Sequence, residues 1–287
     1  MAEWLPADAS LLLSGSPRRS RSLRHSHRSV SGQRAQISSS FTGSICCRSQ
    51  EIAMTDRVTL SFSDQGVATV VLSHPPLNIY DLAMRDGLIE AITAVRDNPD
   101  ARSLLIRAEG SHFSAGADLA EFGSATSIFE GRRIRWDRDP WLPLLGLSIP
   151  TVVALKGYAV GSGLEMALLC DLRIAAANVV LGLPETKLGM LPAAGGTQTL
   201  TRLVGPTAAA PLILTGRSFD ADEALKLGVI SEVTELGELD QTAEKRAEQL
   251  ALLDPDIAMK LRRCISASKD LPLHLGLELE RRLALNS

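Results

Sequence analysis

Between residues 57 and 185 the chain breaks into short apolar runs, each stopped by glycine, proline or a polar turn. That division limits the fold more than any other feature. RVTLSF and VATVVLS flank the turn SDQG, and their alternation predicts a β-hairpin over 57–73. Residues 81–97 instead place Leu82, Met84, Leu88, Ile92 and Val95 at near-helical spacing. SLLIRAEG (103–110), TVVALKGYAV (151–160), LRIAAAN and VVLGLPE read as further strands, with a helix beginning near Leu164 after the second. GGTQTLTRLVG, TAAAPLILTG and DADEALKLG read as helices bounded by glycines. From about residue 240 the pattern is helical throughout, punctuated by Pro255 and Pro272. Strands alternating with helices predict an α/β core over 55–240 and a helical region over 241–287.

The first 54 residues do not join this pattern. They are rich in Arg and Ser and lack apolar periodicity, so they cannot supply a core. The composition resembles a mitochondrial transit peptide, although Glu3 and Asp8 suit one poorly. Translation starting at Met54 is the simpler alternative, since MTDRVTLSF enters the ordered pattern at once. A cytoplasmic protein is expected on that reading, and a matrix protein if residues 1–53 are a transit peptide.

Charge narrows the function. Seven arginines against three carboxylates give residues 1–54 a charge of +4, so the chain's net −3 leaves −7 on the remainder. An acidic body argues against a general nucleic-acid binder. No run approaches the roughly 18 apolar residues of a membrane span. Cys46, Cys47, Cys170 and Cys264 show neither CxxC nor metal-ligand spacing, so neither a disulfide framework nor a metal site is expected.

The stretch GYAVGSGLEM (157–166) holds the least expected residue, Glu165, inside an apolar run. Its glycines match neither a P-loop nor GxGxxG. Ser162-x-x-Glu165 fits a capping box, and local pattern leaves both a cap and a chemical role open. Either role puts exposed amides at a helix start, an arrangement that stabilises a developing oxyanion. Glu185, in LGLPETKLGM, reads alone as a loop carboxylate or as the second member of an acid–base pair. In HFSAGADLAEF, Asp118 and Glu121 form another potential capping box beside a second set of amides.

FSAGADL, GYAVGSGLEMALLCDLRIAA, GLPETKLGMLPAAGGTQTLTRLVG and LTGRSFDADEALKLGVISEV occur in order and resemble the signature segments of the crotonase (enoyl-CoA hydratase/isomerase) superfamily. The resemblance covers roughly residues 57–285. It implies a spiral of ββα units with two packed sheets, followed by C-terminal helices. It further implies hydration of a 2-enoyl-CoA, with Glu165 handling water and Glu185 delivering a proton to the α-carbon. The amides of Ala117 and Ser162 would hold the thioester oxygen. Ser114, Ala115, Gly116, Asp118, Gly161 and Pro184 would surround the substrate. No metal or redox cofactor is implied, CoA entering only as part of the substrate, and the expected assembly is a homotrimer or a dimer of trimers.

The sequence also departs from the family pattern. HPPLNIYDLAM retains only Asn78 of an Asn-Ala-Leu-Asn motif, and the chain ends short of the last helix relatives usually carry. Phe129, Trp136 and Trp141 lie where relatives shape the acyl pocket, which suggests a cyclic or branched acyl group or simply packing aromatics. Arg132, Arg133 and Arg135 are balanced by Glu130, Asp137 and Asp139, as on a solvated helix. An isomerase or related lyase is the nearest alternative. A non-catalytic acyl-CoA- or RNA-binding member of the family is the alternative of another class.

Overall fold

The computed structural model describes residues 51–122 and 126–285. The leader lies outside these residues except for its end, where the structure corrects the sequence reading. Ile52–Ala53 (β1) pair antiparallel with Val58–Phe62 (β2), Ile52 opposite Leu60, so the sheet starts before Met54.

The predicted hairpin is present: Val67–Leu72 (β3) returns along β2 with Val58 opposite Leu72. Helix α1 (Leu82–Asp97) follows, its first turn capped by the Asp81 carboxylate, which accepts from the Met84 amide at 2.7 Å. Strand β4 (Ser103–Ala108) leads into three short helices, α2 (Leu119–Phe122), α3 (Ile128–Arg135) and α4 (Trp141–Leu145). Then come β5 (Thr151–Leu155), β6 (Tyr158–Val160), α5 (Ser162–Ala167), β7 (Leu172–Ala176) and β8 (Val180–Gly182). A 3-10 turn at Pro184–Leu188 precedes α6 (Gly196–Val204) and α7 (Pro206–Thr215). The chain continues through β9 (Phe219–Asp220), α8 (Ala221–Lys226), β10 (Glu232–Thr234), α9 (Leu239–Ala251), α10 (Pro255–Ala267) and α11 (Leu273–Ala284).

The strands form two sheets. The larger has the order β1-β2-β3-β4-β5-β7-β10, parallel from β3 onward, and the smaller has the order β6-β8-β9. Parallel strands covered on both faces should be apolar without a break, and these are. Leu104, Ile106, Val153 and Leu155 enter the main core, while Leu105, Val152, Ala154 and Ile174 face the other way. That second face is covered by α9, whose Leu239, Ala243, Ala247 and Ala251 recur every fourth residue. Alanine lets the helix lie close to the sheet, and the Ser103 hydroxyl donates to the Ala247 carbonyl at 2.9 Å.

One predicted strand is really two. The run 151–160 belongs to the large sheet as far as Leu155 and to the small sheet from Tyr158. Between them Gly157 has φ +51, and a Cβ there would stand 2.3 Å from the Ser111 carbonyl. Only glycine makes that turn without strain. The chain thus crosses from one sheet to the other immediately before the Glu165 helix.

At the C-terminal end α10 and α11 leave Leu261, Ile265, Leu273, Leu275 and Leu277 exposed, and no residue of α11 is buried. No helix among the described residues is long and apolar enough to cross a membrane.

Candidate active site

The segment 112–118 is laid along β6. The Ser114 amide donates to the Tyr158 carbonyl and the Val160 amide to the Ser114 carbonyl, at 2.9 and 3.0 Å. On its other side Tyr80 bonds to Gly116 and Asp118, its amide donating to the Gly116 carbonyl and its carbonyl accepting from the Asp118 amide. Strand alternation then turns the Ala117 amide away from Tyr80. Gly116, at φ +99, brings this backbone against the start of α5: a Cβ there would stand 3.3 Å from the Val160 carbonyl and 3.9 Å from the Ser162 nitrogen. Neither the Ala117 nor the Ser162 amide donates to an acceptor among the described residues. Both border one cavity of about 470 Å³.

Glu165 also borders it, although the residue is only 2% exposed. The capping box predicted around it does not form. Gly161, at φ +54, occupies the N-cap position without a side-chain bond, and Ser162 is the first helical residue. Glu165 reaches instead to the start of α6, where its Oε1 accepts from the Ala194 and Gly196 amides at 3.0 and 2.8 Å. Two amides at the start of a nine-residue helix thus fix the position of this carboxyl oxygen. Gly196 is part of this seat, because a Cβ there would stand 3.0 Å from Oε1.

Glu185 stands in a contrasting environment. It projects from the 3-10 turn behind Pro184, and its Oε1 lies 3.1 Å from where a Cβ on Gly161 would be. Its Oε2 is buried and has no hydrogen-bond partner among the described residues. Burial pushes its carboxyl above the usual carboxylate range, its own backbone amide opposing weakly. The cavity therefore holds one carboxylate seated on amides and one carboxyl disposed to keep its proton.

This has a consequence for stability. A carboxyl whose pKa is higher in the folded state costs nothing while neutral in both states, below about pH 4. It destabilises the fold increasingly as pH rises through its raised value. The Tm advantage of Glu185→Gln over wild type should therefore be small in acid and grow toward neutral pH. A calorimetric Tm difference that stays flat with pH would refute this.

Of the other residues singled out by sequence, Ala115, Gly116, Gly161 and Pro184 line the cavity, as do Trp136 and Trp141. Ser114 and Asp118 are not among the lining residues. Ser114 is 1% exposed, and its hydroxyl donates to the Asn78 carbonyl and accepts from the Gly116 amide, which makes it part of the loop's frame. Asp118 accepts from the Ala120 amide at 2.7 Å and caps α2. Its anticipated partner Glu121 reaches the Leu82 amide instead. Buried Asn78, the remnant of the expected motif, donates to the Glu109 and His112 carbonyls and so holds the loop's start.

Phe129 is 77% exposed and stands apart from the cavity wall, whereas Trp141 stacks on Tyr80 with centroids 5.2 Å apart. Tyr80, which sequence reasoning passed over, and Asp139, which it read as a balancing charge on a solvated helix, both line the cavity. Tyr80 lies two residues beyond Asn78, and Asp139 sits in the mixed-charge stretch, where nothing marked either residue. The segment bearing Trp136, Asp139 and Trp141 is fastened to α1. Arg85 donates to the Ile134 carbonyl at 2.7 Å, and Arg138 pairs with Asp86 and Glu90.

Comparison with known proteins supplies relatives in both sequence and fold. Residues 63–286 match the family model described as enoyl-CoA hydratase/isomerase. A probable enoyl-CoA hydratase, echA8, of Mycobacterium bovis is 35% identical over 231 residues, covering 80% of this chain and 89% of that protein. The (E)-benzylidenesuccinyl-CoA hydratase of Thauera aromatica is 36% identical, covering 77% and 86%. A crystal structure of an enoyl-CoA hydratase from Bacillus anthracis superposes with a TM-score of 0.74 at 31% identity, over 79% of this chain and 89% of the other.

Proposed function

Because the chain belongs to the enoyl-CoA hydratase/isomerase family of the crotonase superfamily, we propose that it adds water across the 2,3 double bond of a 2-enoyl-CoA thioester. The single observation that supports hydration is the unequal setting of the two glutamates on one cavity. Glu165, seated on the Ala194 and Gly196 amides, is suited to orient water and take its proton. Glu185, desolvated and without a partner for Oε2, is suited to give a proton to the α-carbon.

In this scheme the thioester oxygen accepts from the Ala117 and Ser162 amides. Hydroxide equivalent from the water bonds to C3, and the π electrons move toward the carbonyl as an enolate. Collapse of the enolate takes the Glu185 proton at C2, while the proton Glu165 took from the water returns through solvent to Glu185 and restores both groups. The product is a 3-hydroxyacyl-CoA. Every group in the scheme belongs to the chain, so it calls for no metal or redox cofactor, and CoA enters as part of the substrate. Exposed leucines and isoleucine on α10 and α11 support assembly into a trimer or a dimer of trimers.

The test separates hydration from double-bond isomerisation. Glu165→Gln should lower hydration kcat about 100-fold, because the water loses its base. An isomerase working through Glu185 alone would keep most of its activity on a 3-enoyl-CoA in the same variant, and that result would replace the present reading.

A further inference from the structure

The cavity carries a third carboxyl that the hydration scheme does not use. Asp139 lines the wall made by Trp136, Trp141, Leu142 and Leu145, remote in sequence from both glutamates. Its Oδ1 accepts from the Trp141 amide at 2.9 Å, an ordinary turn-closing bond. That bond leaves the second oxygen unused. Asp139 forms no ion pair among the described residues, and no Lys, Arg or His is among the described residues lining the cavity. Neighbouring Arg138 is turned to Asp86 and Glu90.

A carboxyl in so apolar a wall is costly unless something bonds to it. Burial holds its titration above the usual range, and the neighbouring Tyr80 phenol is raised chiefly by its own burial, with the Asp139 carboxylate adding to the effect. The wall is otherwise aromatic and aliphatic, so it suits the acyl group rather than the phosphates of CoA.

We propose that Asp139 is a specificity-determining residue, receiving a hydrogen bond from a hydroxyl carried on the acyl group, beyond the reacting double bond. The chemistry selects the hydroxyl. An acyl carboxylate would enter a cavity with three acidic groups and no described cation. An ammonium would lose its hydration against Trp136, Trp141 and the leucines. A neutral donor meets neither obstacle. The aromatic wall further favours mounting that hydroxyl on a ring. The inference rests on the reading above, that the cavity holds an acyl-CoA.

Binding can test it without turnover. Calorimetry would compare 3-phenylpropanoyl-CoA with its meta-hydroxy, para-hydroxy and para-carboxy analogues, using the full chain. Wild type should bind at least one hydroxylated analogue about 10-fold more tightly than the parent, and the carboxy analogue more weakly. Asp139→Ala should erase the hydroxyl preference. Asp139→Asn, which keeps an oxygen for the Trp141 amide, should relieve the discrimination against the carboxy analogue. The proposal is overturned if wild type shows no hydroxyl preference, or if the preference survives in a folded Asp139→Ala. If none of these thioesters binds, the acyl-CoA reading falls with it. If they bind while 2,3-unsaturated forms are not hydrated, hydration alone falls.

Discussion

Glu185→Gln should reduce hydration kcat by about 1,000-fold, within the range ascribed to a positioned acid, while KM changes little. Glutamine preserves the volume but cannot give a proton to carbon. The loss should extend to a simpler reaction, exchange of α-hydrogens of a saturated acyl-CoA with D2O, because the proposed scheme gives the same carboxyl the proton transfer at that carbon in both. The variant should also fold and gain in Tm toward neutral pH, since the charge that burial disfavours is gone. Turnover within tenfold of wild type in a folded Glu185→Gln would remove Glu185 from the mechanism.

The second large effect concerns an amide, which ordinary side-chain replacement does not reach. Ser162 is the first residue of α5, the position at which proline fits a helix. The preceding Gly161, at φ +54 and ψ −128, holds the mirror image of the extended conformation proline requires of its neighbour, which glycine can adopt because it lacks a Cβ. Ser162→Pro therefore deletes one N–H and sets a ring carbon in its place with little cost to the helix. Removing one donor to an oxyanion typically costs about 100- to 1,000-fold. The added steric effect should put this variant at the upper end, about 1,000-fold in kcat. Ser162→Ala, which keeps the amide, should stay within about threefold of wild type by the same argument. Equal damage from both variants would assign the role to the hydroxyl, and no damage from proline would exclude the amide.

Much of this arrangement was legible in the residues, for identifiable reasons. Strands β3, β4, β5 and β7 are buried on both faces, so each shows as an uninterrupted apolar run. Helices bounded by Gly195, Gly205, Gly216 and Gly228 advertise their ends. The pairing of Glu165 with Glu185 came from resemblance, because nothing local distinguishes either from a cap or a loop acid. The capping box failed because Glu165 bonds to amides 29 and 31 residues downstream, a separation to which local pattern is blind. The switch between sheets at Gly157 was hidden for a related reason. Apolar residues continue on both sides of it, and periodicity does not record which sheet a strand joins. Tyr80 and Asp139 reach the cavity through tertiary packing alone.

The fastening of residues 134–141 to α1 by Arg85 and Arg138 separates two duties in the molecule. The two glutamates follow the small-sheet strands β6 and β8, whereas the aromatic wall comes from another stretch, tied to α1 by these polar contacts and set into the main core by Ile134, Trp141 and Leu144. Trp136 and Leu142 line the cavity while staying exposed, so substitutions there reshape it at less cost to the fold than a change at core-bound Trp141.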